Sequence, residues 1–159
     1  MQIADHLDIS GLIAYSEATR FTKEKYAQTV KWCLANDKPI PRHTLYPRTR
    51  GFIATVKALR SAPQVKAVYD VTIAYARGKQ FMVAPSFFDT IYQPRLDRTW
   101  KMYVHVIRHD LASLPETDGE LATWLESRWM EKGERLESLR SQLHRGQQWT
   151  VDDAASTLK

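Results

Sequence analysis

The last part of the chain carries one apolar stripe at helical spacing: Leu121, Trp124, Leu125, Trp129, Leu136, Leu139 and Leu143. A helix with such a stripe is stable only against another apolar surface, so this segment commits the chain to a packed, layered fold. Thr117-Asp118-Gly119-Glu120 has capping-box spacing and opens the helix, which Gly133 is expected to interrupt.

The rest of the chain alternates in type. Gly11–Tyr15 is a short apolar run that reads as a buried strand. Thr22 caps a helix from Lys23 to Ala35, stopped by Asn36-Asp37-Lys38-Pro39-Ile40-Pro41. A proline-punctuated loop leads to a second helix from Thr49 to Arg60, with Phe52, Ile53, Val56 and Leu59 on one side. Lys66–Tyr75 and Trp100–His109 are rich in β-branched and aromatic residues and read as strands. Between them, Phe81–Tyr92 is aromatic, irregular and broken by Pro85. The order is α/β in character, with few strands for a closed domain.

At 159 residues a single domain is favoured. A net charge of +5 suits anionic partners: phospholipid head groups, phosphorylated substrates, coenzyme A or nucleic acid. Nucleic acid is not expected, because the basic residues are scattered and no recognition motif accompanies them. The one cysteine, Cys33, cannot form an intrachain disulfide, and it reads as a small helix residue rather than a catalytic thiol. No metal site is expected. No apolar run reaches the roughly 18 residues of a membrane span. Met1–Ser10 carries Asp5, His6 and Asp8 and lacks the basic start of a signal peptide.

Glu17-Ala18-Thr19-Arg20 follows the first apolar run and precedes a helix. Ligands of α/β folds gather at such strand exits. There a guanidinium can grip a phosphate through two parallel hydrogen bonds, and a carboxylate can hold a hydroxyl. A turn with a local ion pair is the competing role for these four residues. Arg48 and Arg50 flank a helix start, where backbone N–H groups favour anions; solvated surface charge is the alternative for both. Gly51 is expected to serve backbone geometry.

Ser16-Glu17-Ala18-Thr19-Arg20-Phe21-Thr22 resembles the Pro-Glu-Gly-Thr-Arg-Phe-Thr block of glycerolipid acyltransferases. Leu45-Tyr46-Pro47-Arg48-Thr49-Arg50-Gly51-Phe52 is similar to the family's next block, Leu-Pro-Arg-Thr-Lys-Gly-Phe. Ala67–Tyr75 resembles the strand that follows in the 1-acylglycerol-3-phosphate and lysocardiolipin acyltransferases. The resemblance covers Gly11 to Leu143. It implies an α/β, partial glycerolipid-acyltransferase-like domain with a carboxy-terminal helical extension: residues 1–80 the second half of the acyltransferase domain, 81–144 the extension, and 145–159 a disordered tail.

The resemblance further implies that Glu17, Thr19, Arg20 and Arg48 bind the glycerol phosphate of a lysophospholipid. Acyl-coenzyme A would serve as co-substrate, with no cofactor. The protein would associate with the endoplasmic reticulum membrane and serve phospholipid biosynthesis. Three departures stand out. Ser16 replaces Pro, and Ala18 replaces Gly. The family's Asn-His-x4-Asp block, which supplies the general base, has no counterpart before Glu17: His6 is followed five places on by Gly11. His105 and Asp110 have the spacing, but they follow Glu17 and lie mostly in the Trp100–His109 strand, where residues five apart point to opposite faces. No catalytic residue is therefore assigned, and the chain is expected to be truncated and inactive alone. A non-catalytic phospholipid-binding or interaction module is the alternative. Phe81, Met82, Phe87, Phe88, Ile91 and Tyr92, with Arg77, Lys79, Arg95 and Arg98 nearby, form either a membrane-facing patch or core.

Overall fold

The computed structural model describes residues 12–17, 19, 21–93 and 95–149. Helix α1 (Lys23–Ala35) begins where the Thr22 hydroxyl accepts from the Lys25 N–H at 3.3 Å. It ends at Asn36, followed by Asp37 with φ of 51° and a Lys38 N–H bonded to the Cys33 carbonyl at 2.9 Å. Helix α2 (Thr49–Arg60) is capped by Arg48 without a side-chain bond. Strand β1 (Ala67–Arg77) turns into β2 (Gln80–Phe81) through Gly78, whose φ of 57° suits the tight turn between the paired Arg77 and Gln80. A short helix α3 (Phe87–Tyr92), strand β3 (Trp100–Asp110) and the long helix α4 (Asp118–His144) follow, with 3-10 turns at Leu96–Arg98 and Leu111–Ser113. The sheet order is β2-β1-β3.

The class is α/β as the sequence indicated: helices with a small sheet and a long carboxy-terminal helix. The chain divides into two compact units, Met1–Tyr69 with Arg108–Glu134, and Asp70–Ile107 with Arg135–Lys159. In the first, Val56, Leu111, Leu114 and Leu121 form the core, with Phe52, Ile53, Leu59, Val65, Val68 and Trp124 packed against it. Each such aliphatic side chain contributes about 1.5–3 kcal/mol by leaving water. Phe52 stacks on Trp124 at 5.6 Å, and the Arg60 guanidinium donates to the Leu114 and Pro115 carbonyls at 2.7 Å each. In the second unit, Ala74, Tyr103, Leu136 and Leu139 form the core, joined by Phe81 and Trp149. The Trp149 indole donates to the Leu139 carbonyl at 2.9 Å, so the segment after α4 returns onto that core.

Three expectations are corrected. Leu12–Tyr15 is not a buried strand: it has no regular structure, and Ile13 and Tyr15 are each 82% exposed. An apolar run becomes a strand only beside another strand, and none pairs with it among the described residues. Gly133 does not interrupt α4, which runs through it. A Cβ there would meet the Arg42 backbone N and O at 2.9 Å, so the missing side chain lets the loop lie on the helix. Phe87–Tyr92 is helical, held by a capping box between Ser86 and Asp89.

Candidate functional site

The proline-rich loop between α1 and α2 brings the two motif blocks together. Pro41, Thr44, Leu45 and Pro47 are buried, so the loop is a packed strap rather than a solvated connection. The Tyr26 hydroxyl donates to the Pro41 carbonyl at 3.1 Å, tying the strap to α1. At its end the Arg48 N–H donates to the Ser16 carbonyl at 2.7 Å. The Leu45 N–H bonds the Glu17 carboxylate. Blocks separated by an entire helix in sequence are thereby adjacent, although Leu12–Tyr15 supplies no strand exit.

Beside this junction lies an open cleft of about 1100 Å3. Glu17, Thr19, Arg48, Arg50 and Gly51 line it, as do Lys25, Thr29, Trp32, Tyr46, Thr49 and Glu126. Three of the four expected binding residues, Glu17, Thr19 and Arg48, therefore share one cavity. Arg20, the fourth, lies outside the described residues, as does Ala18. A Cβ at Gly51 would meet nothing within 4 Å, so backbone packing does not require glycine there, contrary to expectation.

The electrostatics of the cleft are uneven. Lys25, Arg48 and Arg50 bring cationic charge, and the first residues of α2 bring N–H groups and the positive end of its dipole. Both carboxylates of the cleft also have protein partners. Glu126 pairs with Lys38 at 3.0 Å. Glu17 accepts from the Trp129 indole at 3.3 Å, and Lys132, only 8% exposed, holds its ammonium 5.1 Å from the Trp129 ring centre. Burial raises the Glu17 pKa above its ordinary value; the Trp129 and Leu45 hydrogen bonds and the Lys132 charge pull it down, but burial is the larger influence. Burial, then the Glu126 carboxylate, pushes the Tyr46 hydroxyl up and keeps it neutral. The Thr19 hydroxyl accepts from the Lys25 ammonium.

Trp129, Lys132, Glu126 and Lys25 were not singled out from the sequence as site residues. Trp129 sits in the apolar stripe of α4, the place of a core residue; nothing local marks an indole that reaches a carboxylate 112 residues away. Lys25 stands six residues after Thr19, close enough for a helix-start lysine to fold back, and that signal was available. Among the described residues no histidine lines the cleft, and no cluster of three or more His, Cys, Asp or Glu is placed to hold a metal. His105 is buried and Asp110 exposed on β3, in keeping with their rejection as a catalytic pair. Cys33 is fully buried, and burial, then the Glu126 charge, raises its pKa, as befits a core thiol. Among the described residues no helix is long and apolar enough to cross a membrane.

Comparison with known proteins identifies relatives of the whole chain. Residues 97–147 match the family model described as acyltransferase C-terminus. The chain is 30% identical over 131 residues to 1-acyl-sn-glycerol-3-phosphate acyltransferase 2 of Brassica napus, an alignment covering 79% of this chain and 30% of that one. It is 31% identical to the human 1-acyl-sn-glycerol-3-phosphate acyltransferase gamma, covering 82% of this chain and 32% of the relative. A third relative, probable 1-acyl-sn-glycerol-3-phosphate acyltransferase 5 of Arabidopsis thaliana, is 30% identical over 88% of this chain and 35% of its own. No solved structure matches significantly. The chain belongs to the 1-acylglycerol-3-phosphate acyltransferase family, and it spans about a third of the length of the curated relatives it matches.

Proposed function

We propose that the cleft holds the glycerol phosphate of a lysophospholipid, with acyl-coenzyme A as the acyl donor to its free hydroxyl. Arg48 and Arg20 take the phosphate, and Glu17 and Thr19 face the glycerol. The supporting observation is the 2.7 Å hydrogen bond from the Arg48 N–H to the Ser16 carbonyl, which joins both motif blocks at one cationic cleft. Charge-assisted hydrogen bonds from a guanidinium to a phosphate are about twice as strong as neutral ones, and a helix N-terminus adds to them.

Acyl transfer also needs a base for the attacking hydroxyl. These 159 residues contain no Asn-His-x4-Asp block, so the chain by itself binds but does not turn over. The substrates are lipids, so the work is done at a bilayer surface; by family resemblance this is the endoplasmic reticulum. Calorimetric titration with glycerol 3-phosphate tests the binding step: Arg48→Ala should weaken it about ten-fold. Binding unchanged by Arg48→Ala would sink the assignment. Supplying the His-containing block upstream should restore transfer from acyl-coenzyme A to lysophosphatidate.

The absence of a histidine from the described lining of the cleft favours a second reading, a phospholipid-binding module that needs no base. The same titration with no gain of turnover after adding the His block would select it.

A further inference from the structure

Helix α3 has no buried residue. Phe87, Phe88, Ile91 and Tyr92 are 72%, 66%, 58% and 75% exposed, and they form a cluster of their own: Phe87 meets Phe88 edge-on at 5.9 Å, and Phe88 stacks on Tyr92 at 6.2 Å. Single exposed apolar residues are ordinary, but four large ones on a six-residue helix are a patch that wants a partner. The helix does not depend on that patch for its shape. Ser86 and Asp89 close its start, and the Gln93 N–H bonds the Asp89 carbonyl at 3.0 Å.

The patch has a basic surround. Arg77 acts electrostatically on Asp89 and lies 4.8 Å from the ring centre of Trp100, whose indole donates to the Val83 carbonyl at 3.0 Å just before the helix. Exposed Lys79 follows Gly78 in the β1–β2 turn, and exposed Arg95 and Arg98 follow the helix. Residues 77–98 carry four basic and two acidic side chains. Both acids are engaged within the segment, Asp89 by Ser86 and Asp97 by Arg95 at 2.8 Å.

We propose that α3 is a membrane foot, whose aromatic residues enter the interface of a bilayer while Arg77, Lys79 and Arg98 meet anionic phospholipid head groups. Phenylalanine and tyrosine beside cationic side chains match the head-group boundary, where apolar area and charge attraction add. A second copy of the chain is a poor occupant, because it would set like charges against one another. This inference concerns surface attachment and does not rest on the ligand proposed for the cleft.

Flotation of the whole chain with phosphatidylcholine vesicles, with and without phosphatidylserine, tests it. Wild type should float with phosphatidylserine vesicles and lose binding in high salt. Phe88→Ser with Ile91→Ser should reduce binding about ten-fold or more, because affinity scales with apolar area inserted. Lys79→Glu with Arg98→Glu should reduce it by about five-fold for each residue changed. None of the four is buried, so circular dichroism and the thermal midpoint should not move. Equal binding by wild type and the Phe88/Ile91 variant would overturn the proposal. So would a wild-type dimer that this variant dissociates in the absence of vesicle binding. Glycerol 3-phosphate titration without vesicles separates either failure from a failure at the cleft.

Discussion

The Trp129 indole N–H donates to the Glu17 carboxylate at 3.3 Å, so the first motif block is held by the long helix at the other end of the chain. With the Leu45 N–H on the same carboxylate, Glu17 is fixed from two elements. A carboxylate anchored this way can position the turn that carries Thr19 and the residues around it.

Trp129→Phe keeps an aromatic ring but removes the donor and part of the indole's bulk. It leaves a partly buried carboxylate short of one partner, which costs about 1–3 kcal/mol. Urea unfolding should show that loss, and glycerol 3-phosphate binding should weaken beyond it. An unchanged midpoint and affinity would show that the bond contributes nothing.

Glu17 also gives the protein a pH signature. Its pKa is raised on folding, mainly by burial, so the folded state holds the proton more tightly than the unfolded chain. Stability from this group is full below the ordinary carboxyl value of 4.5 and falls as pH rises through the raised folded value. Glu17→Gln can still accept from Trp129 and Leu45 but does not titrate. Its thermal midpoint relative to wild type should therefore climb between mildly acidic and neutral pH. A pH-independent difference between the two proteins would contradict the raised pKa.

Two glycines in helices should respond in opposite ways to alanine. At Gly133 the added Cβ meets Arg42 backbone at 2.9 Å, which cannot swing aside as a side chain would. Helix propensity favours alanine by up to about 1 kcal/mol, and the overpacking costs about 1–3 kcal/mol, so the clash wins. At Gly51 nothing lies within 4 Å, and the same change should be neutral or stabilising by up to about 1 kcal/mol. Equilibrium unfolding of both variants decides the matter; equal effects would refute the contrast.

Cys33 is fully buried with its thiol pKa raised. Thiol labelling at pH 8 should be slow in the native protein and rapid in denaturant. Fast native labelling would show that α1 opens readily.

The elements with their own local signals were legible in the sequence. Helix α1 has Thr22 at its cap, α4 has its capping box and stripe, and β1 and β3 have their β-branched runs. Leu12–Tyr15 misled because an apolar run says nothing about whether a neighbour is present to pair with it. Helix α3 has capping-box spacing at Ser86 and Asp89, but Pro85 and an aromatic run too short to show a helical period mask it in the sequence. The cleft was legible as motif letters, Glu17, Thr19 and Arg48. Its support was not: Trp129 and Lys132 act on Glu17 through tertiary contacts, and no local pattern distinguishes them from the rest of an amphipathic helix.

The long reach from Glu17 to Trp129 sets an order of events during synthesis. A ribosome has made both motif blocks well before the residues that brace the first of them emerge. The early chain therefore waits with its carboxylate unsupported until α4 docks, and a nascent product stopped before Asp118 would carry the family's signature residues without the pillar that fixes them in place.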